Sequence, residues 1–176
     1  STTFARTEPP ARLTKRYTEN AAAFDAYLKG RYYWNKRTEP DFRRAIAEFN
    51  RAVHLDPNYA LAYSGLADSY ILLAVWGTEP PRRSMELAKQ AASKALSADA
   101  NMVEAHTSLA FIRWAYDWDF AGADAEFSRA LELNPNYATT HHWRAYYLVS
   151  MGRSDEAIAA IKRAQELEGP LSLSIM

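Results

Sequence analysis

No cysteine occurs in the 176 residues. Disulfides and thiolate metal ligands are therefore excluded, and a reducing or an oxidising compartment suits the chain equally. An excess of charge is missing too. Twenty-one Lys and Arg stand against 21 Asp and Glu, for a net charge of zero, so no bulk basic face is offered to a nucleic acid. No apolar run approaches the roughly 20 residues that span a bilayer, and membrane insertion by this segment is not expected. The six glycines are scattered, and no Gly-rich run precedes Lys-Ser or Lys-Thr, so a phosphate-cradling loop is excluded. The N-terminal stretch from Ser1 to Pro10 has no apolar signal core and no initiator Met, as expected of a trimmed or processed end.

What the chain has in abundance is apolar and aromatic residues, 48% and 13%, arranged in a repeat. Ala123-Asp-Ala-Glu-Phe-Ser-Arg-Ala-Leu-Glu-Leu-Asn-Pro135 returns as Ala45-Ile-Ala-Glu-Phe-Asn-Arg-Ala-Val-His-Leu-Asp-Pro57, and each block continues into Asn-Tyr-Ala. Weaker copies begin at Ala157 and Ala88. Alanines seven apart (Ala45 and Ala52, Ala123 and Ala130, Ala157 and Ala164) share one helix face and allow close helix approach, with Phe49, Phe127 and Ile161 as bulky fillers between them. Pro57 and Pro135 stop their helices, because proline disfavours α geometry in the residue before it. A helix pair of this kind cannot bury its apolar face alone, so neighbouring pairs must stack.

In chain order, residues 1–18 read as a linker, with Pro9-Pro10 opposing helix. Residues 19–169 read as four helix pairs, about 21–55, 59–98, 102–133 and 137–167, and residues 170–176 as a tail or the start of a further repeat. Phe24, Tyr27, Leu28, Tyr32 and Trp34 recur at helical steps in the first helix. Thr38-Glu-Pro-Asp41 predicts a helix start, with Thr38 as N-cap and Asp41 reaching back in a capping box. Gly152 predicts the end of one helix and Ser154 the cap of the next. Pro57 and Pro135 lie 78 residues apart, ten more than two 34-residue periods. Most of that excess is expected as a long loop from Trp76 to Ser84, and the remainder near Asp117-Trp-Asp119.

On these features the sequence resembles the tetratricopeptide repeat family. The resemblance is carried by the 34-residue period, by the Ala-x3-Phe-x2-Ala-x4-Pro block and by first-helix signatures. These are Tyr63-Ser-Gly-Leu-Ala67-Asp-Ser-Tyr70, then His106 with Leu109 and Ala110, then His141 with Arg144 and Ala145. Ala100 and Gly169 depart from it where a terminal proline is expected. It implies an all-α fold, a right-handed superhelix of stacked antiparallel helix pairs. A narrower similarity lies in Arg12-Leu-Thr-Lys-Arg-Tyr-Thr-Glu-Asn20 and Ala26-Tyr-Leu-Lys-Gly-Arg-Tyr-Tyr-Trp-Asn-Lys-Arg-Thr38. It points to bacterial multidomain regulators whose repeat segments follow a winged-helix, adenylate-cyclase-type or kinase effector. A bacterial cytoplasm is then favoured over a periplasm.

Little in the chain suggests catalysis, metal or cofactor chemistry. His141 and His142 are adjacent on a helix and point about 100° apart. His54 faces solvent near a helix end, and His106 matches a packing position. None has a histidine four residues away, as a helical zinc pair requires. Asp117-Trp-Asp119 with Asp124 lacks the glycine and glutamate of a calcium loop, and Asp119 is better explained as a helix cap. Arg51, Lys94, Arg129 and Arg163 recur at one repeat position, as a solvated helix face would.

In the family, the first helix of each pair lines a concave groove. Transferred to this sequence, that face comprises Tyr27, Arg31, Trp34 and Asn35; Leu61, Ser64, Asp68 and Ile71; Glu104, Thr107, Phe111 and Trp114; and Thr139, His142, Tyr146 and Val149. The Lys-Asn-Arg carboxylate clamp of chaperone-docking members is not reproduced, since Asp68 and Glu104 are acidic. The expected function is a non-catalytic scaffold for a peptide or partner domain, with no nucleic acid and with homo-oligomerisation left open. The alternative is a small-molecule-sensing regulatory domain.

Overall fold

The structure is a computed structural model that describes residues 18–77 and 80–168. Those residues form eight α-helices and no strand. They are α1 (Ala21–Trp34), α2 (Glu39–Leu55), α3 (Ala60–Trp76), α4 (Pro81–Ala98), α5 (Val103–Ala115), α6 (Phe120–Leu133), α7 (Ala138–Ser150) and α8 (Ser154–Glu168). Nearly all of the expected linker and the whole of the expected tail lie outside the described residues.

Local chemistry accounts for the helix ends. Asn20 caps α1, accepting from the Ala23 amide at 3.0 Å, while its own amide donates to the Leu55 carbonyl at 3.1 Å. One side chain thus starts α1 and ties it to the end of α2. Thr38 caps α2 by accepting from the Asp41 amide at 3.3 Å. The reciprocal contact of the expected box is made through the Thr38 hydroxyl, which donates to the Asp41 carboxylate at 2.7 Å. Asp119 caps α6 by accepting from the Gly122 amide at 2.9 Å. Gly152 takes the left-handed turn with φ 72°, and α8 begins on Ser154 itself.

One expectation is corrected. The extra residues of the second pair are not a long loop from Trp76 to Ser84. Instead α3 extends to Trp76 and α4 starts at Pro81, giving helices of 17 and 18 residues against 13 each for α5 and α7. The run Ile71-Leu-Leu-Ala-Val-Trp76 contains no breaker, so α3 continues until the Gly77 amide closes on the Leu73 carbonyl. Pro81 suits the first turn of a helix, where its missing N–H would have had no partner. Two prolines that suggested a loop therefore start a helix.

The core follows the alanine arithmetic. Ala45, Ala52, Ala123, Ala130, Ala157 and Ala164 are buried, as are Phe49 and Phe127, with Ile161 partly covered. The first helices α1, α3, α5 and α7 pack side by side in that order, and each second helix packs on its own first helix. Arg129 donates to the Asn101 side chain at 3.0 Å and Arg163 to that of Asn136 at 2.8 Å. In the third and fourth pairs the recurring basic position thus pins the second helix to the turn that begins its own pair, beyond merely facing solvent, whereas Arg51 pairs with Glu48 on its own helix.

Candidate functional site

The row of first helices forms one wall, and its polar residues are interlocked from helix to helix. On α1, Trp34 is buried with two guanidinium groups against its ring. Arg31 lies 4.4 Å and Arg37 3.7 Å from the ring centroid. Such cation–π contacts strengthen as water is excluded. Arg37 reaches this position from the turn after α1, where its backbone is left-handed with φ 57°. Arg31 faces Asp68 of α3 at 3.9 Å. The Ser108 hydroxyl of α5 donates to Asp68 at 2.7 Å. One buried carboxylate therefore links three consecutive first helices.

Electrostatics mark the same place. Burial pushes Asp68 up to about 6, outweighing the Arg31 charge and the Ser108 hydrogen bond that favour its ionised form. Burial lowers Arg37, which also feels Asp68, Arg31, Glu168 and Tyr137. Tyr137 is raised by burial and then by the charges of Asp68 and Glu104. His142 is lowered by burial, while Glu168 acts in the opposite sense. Groups from the first pair and the fourth are thus within mutual Coulombic range.

The sixteen groove residues separate into two sets. Trp34, Ser64, Asp68, Ile71, Thr107 and Phe111 are buried. Thr107 and Thr140 share a hydrogen bond of 2.7 Å between α5 and α7, and Phe111 packs at a tilt against Trp143, ring centroids 4.9 Å apart. These residues join first helices to one another. Tyr27 also packs inward, 5.8 Å from Phe49 and 5.3 Å from Tyr59. Arg31, Leu61, Glu104, Trp114, Thr139 and His142 are half-buried, and Asn35 is exposed. Trp114 donates its indole N–H to Ser150 at 2.9 Å. Among the apolar and aromatic positions the most open are Tyr146 and Val149, 52% and 62% exposed. With His142 they make a stripe at i, i+4 and i+7 on α7. The His142 ring lies 5.3 Å from that of Tyr146 and 3.1 Å from its hydroxyl.

Sequence reasoning did not find Arg37, Ser108, Tyr137, Thr140 or Glu168. Tyr137 had a signal, the repeated Asn-Tyr-Ala after each proline; its counterpart Tyr59 is fully buried. Two of the remaining histidines make contacts within the fold and the third does not. His106 pairs with Glu126 at 2.6 Å, His141 meets the Pro135 carbonyl at 2.8 Å, and His54 is exposed. Among the described residues no group of three or more metal-ligating side chains converges, and no helix is long and apolar enough to cross a membrane.

The tetratricopeptide repeat family model matches residues 126–159. The fold is similar to that of TTC0263, a thermophilic TPR protein of Thermus thermophilus. The TM-score is 0.59 at 19% identity, over 88% of this chain and 96% of that one. The first TPR of Spaghetti (RPAP3), solved with the HSP90 peptide SRMEEVD, superposes with a TM-score of 0.59 at 17% identity, over 78% and 99% of the two chains. In sequence the chain is 27% identical over 142 residues to the transcriptional regulator HilA of Salmonella typhimurium, covering 81% of this chain. It spans 26% of the length of that regulator. Helix order, first-helix stacking and these neighbours define an all-α tetratricopeptide-repeat solenoid, a right-handed superhelix of antiparallel helix pairs.

Proposed function

We propose that this tetratricopeptide-repeat solenoid is a non-catalytic binding module, holding a peptide or a partner domain against its concave face as a segment of a larger bacterial regulatory protein. The observation that carries this reading is the open stripe His142, Tyr146 and Val149 on α7, beside a polar centre supplied by all four pairs. Tyr146 offers a rigid aromatic anchor with a polar tip, the residue type that dominates interface energetics. Arg31, Arg37, Asp68 and Glu104 next to it set charge requirements on whatever lies in the groove. The peptide-bound TPR neighbour supports a peptide as the kind of ligand, and the similarity to HilA supports a regulatory parent.

Selection of a displayed peptide library on the purified chain tests the proposal. Recovered peptides are titrated by fluorescence polarisation against the chain, against a Tyr146→Ala/Val149→Ala variant, and against Lys94→Glu on the outer helix α4. Loss of an aromatic hot spot costs about 2 kcal/mol or more, so the double variant weakens binding by roughly 30-fold, while Lys94→Glu changes little. Peptides that ignore the α7 variant and depend on Lys94 would refute the assignment. So would a metabolite retained stoichiometrically in native mass spectrometry and displacing the peptides, which is the result a small-molecule sensor gives.

A further inference from the structure

Consecutive first helices meet through one recurring contact. The earlier helix offers three positions on one face: Ser64, Asp68 and Ile71 on α3, then Thr107, Phe111 and Trp114 on α5. The later helix meets them with three others: Ala105, Ser108 and Ile112 on α5, then Thr140, Trp143 and Tyr147 on α7. Asp68 thus bonds to Ser108 and Thr107 to Thr140, while Phe111 packs on Trp143 and Trp114 on Tyr147. All twelve are buried except Trp114, which is half-buried.

The two ends of the solenoid hold the halves of this contact that lack a neighbouring pair. On α7 the earlier-helix positions are His142, Tyr146 and Val149, the open stripe. On α1 the later-helix positions are Asp25, Leu28 and Tyr32, all exposed, Leu28 at 49% and Tyr32 at 61%. The register on α1 is set by Arg31, which reaches toward Asp68 as Asp68 reaches Ser108. Apolar residues scattered singly over a surface need no explanation. Leu28, Tyr32, Tyr146 and Val149 are different, because they fall on the positions that the interior pairs use against one another.

We propose that copies of the chain stack head to tail, α1 of one copy lying on α7 of the next in the relation that α7 has to α5. The inference rests on reading the α7 stripe as an open contact surface, and it names a second copy as a partner of that stripe. Transferring the recurring contact sets Tyr146 against Leu28 of the second copy, Val149 against its Tyr32 and His142 against its Asp25. The first two are pairs of one aromatic and one aliphatic side chain, each with apolar surface to withdraw from water. Asp25 is already tied to Lys29 at 2.9 Å, and Lys36 lies 4.7 Å from the Tyr32 ring, so the apolar pairs and not charge carry the junction. The second helix takes part as well. Inside the chain Phe49 of α2 fills the space left by Gly65 of α3. At the junction Ile161 of α8 and Leu28 occupy those two positions, a smaller side chain facing a larger one. A solenoid repeat touches only its neighbours, and this chain carries both halves of one neighbour contact in one register. Such a contact is heterologous, so it builds an open series and not a closed dimer.

Sedimentation velocity of the 176-residue chain, from low micromolar to near millimolar, tests the proposal. The weight-average sedimentation coefficient is expected to climb with concentration and to pass the dimer value without a plateau. Leu28→Glu/Tyr32→Glu blocks the head, and Tyr146→Glu/Val149→Glu blocks the tail. All four positions are exposed, so each variant is expected to keep its helicity by circular dichroism while associating at least tenfold more weakly. Where a glutamate pair lowers helicity, the alanine pair at the same positions gives the readout. An equimolar mixture of the two variants retains one intact tail and one intact head, and is expected to form dimers and nothing larger. A wild-type chain that stays monomeric at every concentration overturns the proposal. So does association that stops at the dimer, persists in either blocked variant alone, or is missing from the mixture. The head-blocked chain keeps α7 intact, so peptide titration on it tests the binding reading separately. Peptide binding without self-association removes only the head-to-tail contact, and self-association without α7-dependent peptides removes only the peptide reading.

Discussion

Phe49 is clasped between two glycines, and this gives the packing argument a sharp test. A Cβ built on Gly65 would stand 2.6 Å from two ring carbons of Phe49, and one on Gly30 would stand 2.5 Å from the same ring. Carbon atoms prefer about 3.5–4.0 Å, so in Gly65→Ala the ring must retreat by about 1 Å. The retreat runs toward Gly30, whose backbone closes the other side. Overpacking of a full core costs about 1–3 kcal/mol, and replacing a helical glycine by alanine recovers up to about 1 kcal/mol of propensity. The expected net loss is about 1–2 kcal/mol, or roughly 2–8 °C in melting temperature for a chain of this size. Urea unfolding should show a lower midpoint with an unchanged slope. Phe49→Leu in the same background should recover part of the loss, because contacting residues do not act additively. A Gly65→Ala chain as stable as wild type would show that helix propensity, not the clasped ring, decides the position.

Asp68→Asn tests the polar centre. An acid raised to about 6 when folded, against roughly 3.9 unfolded, gives stability that is full below the unfolded value and lost as pH rises through 6. Between pH 4 and pH 7 the asparagine variant should therefore gain on wild type by up to about 2–3 kcal/mol, and a pH-independent difference would contradict the burial of that carboxylate. Ala130→Leu, at a fully buried position, should cost about 1–3 kcal/mol. Ala121→Leu, at an exposed one in the first turn of α6, should cost much less, and equal midpoint shifts in urea would show the repeat register to be misplaced.

The repeat was legible because its residues do the same physical task each time. Small alanines seven apart, a phenylalanine between them and a terminating proline can be read from letters alone, and Ala45, Phe49, Ala52, Ala123, Phe127 and Ala130 are all fully buried. The second pair was misjudged because counting residues against a period measures an insertion without saying what it forms. Ten extra residues can enlarge a turn or lengthen both helices. The unbroken apolar run from Ile71 to Trp76 decided for the helices, and Pro80-Pro81 was compatible with either outcome.

The groove was legible only as far as one helix face is. Register arithmetic could put Ser64, Asp68 and Thr107 on the concave side, but not say how closely the neighbouring first helices approach. Thr107 and Thr140 meet because both are small, so that α5 and α7 close over them. Ser108, just outside the four-residue stripe, reaches Asp68 across the contact between α3 and α5. Arg37 and Glu168 lie near opposite ends of the described chain, yet each contributes to the electrostatics at the wall of first helices, which no reading of one helix at a time could show. That places the chemistry of the candidate site on the stacking between pairs as much as on its residues. A core substitution that shifts one pair against the next, such as Gly65→Ala on α3 where it packs on Phe49 of α2, should therefore alter binding at the concave face even though Gly65 touches no ligand. Such coupling would appear as weaker peptide binding under conditions where Gly65→Ala remains fully folded.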